Sequence, residues 1–102
     1  MDEVVHWSPE AREDLELIAE FIARDSEYYA RQVVREMLAA ARSLEPFPRK
    51  GRKVPEFEES SLRELPVYSY RLIYRIQSDF LLVVAVVHGR RLLPHALDGR
   101  EP

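Results

Sequence analysis

The 102-residue chain has no cysteine, so neither a disulfide framework nor a thiolate metal site is available to it. Its three histidines, His6, His88 and His95, lack any short metal-ligand spacing, and neither a metal nor an organic cofactor is expected. No stretch reaches the roughly 18 uninterrupted apolar residues of a membrane span. The opening Met1–Trp7 is acidic and lacks the basic start and long apolar core of a secretory signal. A cytoplasmic protein with no membrane partner is the expectation. With no internal repeat and no linker-like composition shift, residues 1–102 read as a single domain with one modest core.

The residues present are ordinary in bulk and uneven in placement. Apolar residues make up 46% and charged residues 32%, a globular balance. The net charge of −3 hides 5 basic against 11 acidic residues over 1–48, and 10 against 7 over 49–102. A basic second half suggests an anionic partner for that half, or simply two differently solvated faces.

Leu62 to Arg91 reads as three short antiparallel strands ending in a basic His-Gly-Arg-Arg corner. In the middle strand, alternation puts Tyr70, Leu72, Tyr74 and Ile76 on one face and Arg71, Ile73 and Arg75 on the other. Arg63, on the preceding strand, is expected to extend that row of arginines. Phe80 to Val87 is apolar on both faces and rich in valine, as in a central strand, and Gln77-Ser78-Asp79 makes the hairpin before it.

The first half supplies a cover. Val4–Trp7 is a short β-prone run. Ser8-Pro9-Glu10 has a capping hydroxyl, a proline at the first helical position and an acid near the positive helix end. Ala11, Leu15, Ile18, Ala19 and Ile22 then recur at helical spacing to about Arg24. Leu17 and Phe21 widen this face, read first as a broad core stripe and otherwise as a partner-binding ridge. Asp25-Ser26 breaks the helix. A second helix over about Glu27–Leu44 folds back antiparallel and is ended by Pro46 and Pro48. Residues 49–61 read as one long irregular connection, with Arg49, Lys50, Arg52 and Lys53 in a charged loop; the tail after Arg91 allows one helical turn. The expected fold is α+β: an N-terminal strand and an antiparallel helix hairpin packed on an antiparallel sheet.

Several motifs together resemble the RelE/ParE superfamily of bacterial type II toxins. They are V-x-W-S-P-E-A-x-x-D-L-x-x-I from Val5, L-E-P-F-P-R-x-G-R from Leu44, R-E-L-P-V from Arg63, Y-R-L-I-Y-R from Tyr70 and V-V-H-G-R-R from Val86. The Trp-Ser-Pro opening and the Val-Val-His-Gly-Arg-Arg exit look closest to the ParE branch. That resemblance implies a toxin that poisons DNA gyrase by protein–protein binding and is neutralised by a cognate, ParD-like or related antitoxin. Topoisomerase IV is the neighbouring alternative target. Sequence-specific nucleic-acid binding by the toxin alone is not implied.

The RelE-like branch instead cuts mRNA on the ribosome. Such cleavage needs activation of a 2′-hydroxyl, cations for the phosphate and a proton donor for the leaving oxygen. Here Leu62 and Glu64 stand where that branch has lysines, and Leu97 stands where it has a tyrosine. On the ParE-like reading no catalytic residue is expected. On the ribonuclease alternative Glu64, Arg71, His88 and Arg91 form the set. His88 has a plainer reading as the residue closing the last strand. The resemblance places Arg63, Arg71, Arg75, Leu17 and Phe21 toward the antitoxin, whose segment would bring apolar side chains and carboxylates. The arginines also have acidic neighbours to pair with in Glu56, Glu58, Glu59 and Glu64. Arg90 and Arg91 are the candidate target contacts. A third reading is a toxin fold kept only for complex formation or autoregulation.

Overall fold

Local sequence signals set the helical hairpin in the computed structural model, which describes residues 4–57 and 61–91 together with Pro94, Leu97 and Arg100. Strand β1 (Val4–Trp7) runs into helix α1 (Pro9–Ala23), whose first turn is capped by the Ser8 hydroxyl accepting from the Ala11 N–H at 3.0 Å. Ser26 does the same for helix α2 (Glu27–Arg42), accepting from the Tyr29 N–H at 3.0 Å. Three residues between the helices leave them no arrangement but an antiparallel pair.

Four further strands follow: β2 (Arg52–Lys53), β3 (Leu62–Val67), β4 (Tyr70–Ile76) and β5 (Phe80–His88). The sheet order is β1-β5-β4-β3-β2. Strand β5 is central, as its two-sided apolar sequence requires. Every pairing is antiparallel except β1 with β5, which is parallel.

One face of the sheet packs under the helices. Ala11 and Leu15 of α1 and Met37 and Ala41 of α2 meet Leu72, Tyr74, Leu81, Val83 and Val86. The opposite face has its own smaller cluster, in which Leu62, Ile73, Val84, Ala85 and Val87 are covered by Val54, Phe57 and Leu97. A β-bulge decides which residues of β5 reach each face. Ile73 pairs with Ala85 but Tyr74 pairs with Val83, so Val84 and Ala85 both point to the second face and the alternation of β5 inverts there.

The segment expected as one irregular loop is more ordered than that. Gly51 is buried, Arg52 and Lys53 pair with Glu64 and Arg63, Val54 is fully buried, and Pro55–Phe57 makes a single 3₁₀ turn. Sequence alone misses this strand because two charged residues carry no alternation. Register with β3 makes the strand. Glu58 and Glu59 lie outside the described residues, as does most of the tail beyond Arg91.

Candidate functional site

The second face of the sheet carries a cleft of about 670 Å³ whose floor is an ion-pair network. Arg71 on β4 is 8% exposed. Its Nε donates to Glu64 Oε1 at 2.9 Å, and its Nη1 and Nη2 donate to Glu56 Oε2 and Oε1 at 2.9 and 2.8 Å. The other Glu64 oxygen accepts from Arg52 Nε at 2.6 Å. Hydrogen bonding to Glu56 and then to Glu64 holds the Arg71 guanidinium above its usual value, against its burial. The Arg71 bond holds the Glu56 carboxyl below the usual carboxylate range. Burying Arg71 without these acids would leave an uncompensated charge, so the pairs belong to the fold as much as to any ligand.

A second concavity lies on the helix side, where α1 meets the end of β5. Leu17, Phe21, Tyr70, His88 and Arg91 line a groove of about 300 Å³. Leu17 and Phe21 are 55% and 65% exposed, which corrects the expectation that they widen the core. Leu17 is two positions beyond the buried Leu15, a rotation of about 200° that turns it off the sheet. Arg24 sits over the Phe21 ring with its guanidinium carbon 5.8 Å from the centroid. At the groove's far end the exposed His88 ring meets Tyr70 edge to face at 5.8 Å, and its Nδ1 accepts from the Arg90 N–H at 3.2 Å. Arg90 and Arg91 are both exposed in the turn that follows.

The residues named for a ribonuclease set do not converge. Glu64 and Arg71 share the second face with Ile73, whereas His88 pairs with Tyr70 and lies on the helix side of the sheet. Glu64 is 3% exposed with both oxygens engaged by guanidinium groups, so no approach is open to a reacting hydroxyl. Arg63 likewise does not extend the row of Arg71 and Arg75. It pairs opposite Tyr74, so it has the other parity and faces the helix side, where its Nη1 donates to the Gly51 carbonyl at 2.7 Å. Arg75 does share the face of Arg71, opposite Leu62. Among the described residues, no group of three acidic, histidine or cysteine side chains is placed to hold a metal ion.

The family model described as the ParE toxin of the type II toxin–antitoxin system parDE matches residues 5–93. The chain belongs to the ParE toxin family. A comparison with curated protein sequences finds no match. Among solved structures, the chain is similar in fold to the chromosomal ParDE system of P. aeruginosa, with a TM-score of 0.71 and 16% identity over 84% of this chain and 95% of that one. It is also similar to the RelBE2 toxin–antitoxin complex of Mycobacterium tuberculosis, with a TM-score of 0.64 and 21% identity over 86% and 99%. The expected ParE-branch resemblance and α+β fold are thereby borne out.

In this ParE toxin two side chains were not legible as site residues. Asp14 on α1 accepts from the Val86 N–H at 3.0 Å and from both terminal nitrogens of Arg100 at 2.7 and 2.9 Å. Arg100 also donates to the Val84 carbonyl at 3.0 Å. Strand β1 covers β5 only as far as Val83, so these two side chains satisfy the backbone of β5 where no strand does. The only sequence signal was the Asp-Leu pair in the opening motif, which gives no hint of an arginine 86 positions away.

Proposed function

We propose that this ParE toxin inhibits DNA gyrase by protein–protein contact, turns over no substrate itself, and is neutralised in the cytoplasm by a cognate antitoxin. The observation that carries the proposal is the groove in which the exposed apolar pair Leu17 and Phe21 stands beside Arg91. An antitoxin segment with apolar side chains seated on Leu17 and Phe21 would cover the basic corner, so neutralisation follows from occlusion. The separation of Glu64 and Arg71 from His88 by the thickness of the sheet supports binding over cleavage. Both solved relatives are toxin–antitoxin systems, which supports an antitoxin for this chain.

The deciding experiment is DNA supercoiling by purified gyrase, titrated with the toxin freed of antitoxin. Loss of supercoiling with accumulation of cleaved DNA, reversed by adding the antitoxin, is the expected result. Undisturbed gyrase in a folded preparation that still arrests growth would reject the target. Ribosome-dependent mRNA cleavage and topoisomerase IV inhibition would then be assayed on the same preparation.

A further inference from the structure

The two carboxylates on Arg71 are not equivalent. Glu64 stands on β3 with its side chain 4% exposed and both oxygens engaged, one of them by Arg52. Glu56 stands on an isolated 3₁₀ turn with its side chain 34% exposed, and grips the outer edge of the guanidinium with both oxygens. That two-point grip is the geometry in which a carboxylate from another molecule would bind an arginine. Rotating the Glu56 side chain outward requires no movement of β3 or β4. It would leave Arg52 and Arg71 facing Glu64 alone, a surplus of one positive charge at the cleft floor.

The walls of the cleft point the same way. Pro55 and Pro66 flank the network with apolar surface. Tyr68, in the turn beside Pro66, has φ of 56°, a left-handed conformation that bulky side chains rarely adopt, and its ring meets Tyr29 of α2 edge to face with centroids 6.2 Å apart. A glycine would relieve that strain, so the aromatic ring is held there at a conformational cost.

We infer that Arg71 is a receptor for a single carboxylate side chain of a bound partner segment, and that Glu56 fills it in the unbound protein as a displaceable internal stand-in. The inference rests on the antitoxin reading for the identity of the partner, and only for that. A polyanion such as RNA is the poorer fit. The closed network is electrically balanced and the open one has one surplus charge, whereas a nucleic-acid backbone needs a track of cations.

The test follows the Arg71 Nε–Hε resonance in ¹⁵N-labelled toxin while N-acetyl-glutamate amide is added, in wild type and in Glu56→Ala. The glutamate derivative should shift the resonance saturably in both, with an apparent Kd at least about tenfold lower in the variant, where the competing side chain is gone. Glu56→Gln keeps the shape of the side chain and serves if the alanine variant does not fold; it should bind more tightly than wild type. Equal constants in wild type and the folded variant would overturn the inference. So would a single-stranded RNA 12-mer that shifts the resonance at lower concentration than the glutamate derivative at equal ionic strength. Because the probe is one amino-acid derivative, the result stands apart from the supercoiling assay, in which failure of the toxin reading would appear.

Discussion

At the scale of single residues, the Tyr74 hydroxyl joins the sheet to the segment after α2. It donates to the Pro48 carbonyl at 2.6 Å and accepts from the Gly51 N–H at 3.0 Å, and the ring is fully buried. Burial raises its pKa, so the group stays protonated and able to donate through the neutral range. Tyr74→Phe should leave the buried Gly51 N–H and the partly buried Pro48 carbonyl without that partner and cost about 1–3 kcal/mol, read by urea unfolding. Gly51→Ala should cost at least as much, because an added Cβ would stand 2.6 Å from the Glu64 carbonyl and 2.7 Å from the Tyr74 ring. If Tyr74→Phe unfolds at the wild-type midpoint, the joint is dispensable. Part of this is readable in the sequence. Leu-Glu-Pro-Phe-Pro-Arg-Lys-Gly-Arg stands out as a motif, and strand period alone puts Tyr74 on the face of Tyr70 and Leu72. Their meeting required the pairing of β2 with β3, which local sequence does not encode.

At the scale of elements, what was legible was what is local. The two serine caps, the proline stops and the alternation of β4 depend on neighbours a few positions away, and the structure places them where the sequence pattern did. The failures are failures of register. The sequence pattern puts Arg63 on the face of Arg71, and its true parity is visible only once Arg63 is seen opposite Tyr74. The bulge in β5 is likewise hidden in a uniform run of valines and leucines, where an inverted alternation changes nothing in composition. Equally unreadable is where β1 stops along β5, at Val83, which leaves the edge that Asp14 and Arg100 serve. Asp14→Ala should therefore destabilise by about 2–3 kcal/mol, since it removes the carboxylate partner of a partly buried guanidinium and leaves the Val86 N–H without an acceptor. Arg100→Ala should cost less, about 1 kcal/mol, and the double variant should be no worse than Asp14→Ala alone. Additive losses in that cycle would mean that the two residues act independently.

At the scale of the whole molecule, a chain of net charge −3 presents two of its exposed arginines, Arg90 and Arg91, at one corner beside an apolar ridge on an otherwise acidic helix. Glu10, Glu13, Glu16 and Glu20 of α1 repel anionic surfaces, so a partner that engages Arg91 must approach from the β5 side. The same geometry makes two functions neighbours without making them one. Substituting both Arg90 and Arg91 with Glu should remove gyrase inhibition and growth arrest while leaving the unfolding free energy within about 0.5 kcal/mol of wild type, as for other surface changes. Substituting Leu17 and Phe21 with Ser should leave gyrase inhibition in place and weaken antitoxin binding by roughly 2–4 kcal/mol, the range for truncated apolar anchors at an interface. The second variant would then be a toxin its antitoxin restrains poorly, lethal at antitoxin levels that protect cells making the wild type. Loss of toxicity in the Leu17 and Phe21 variant, with its fold intact, would place the target contact on α1 and return the basic corner to a supporting role.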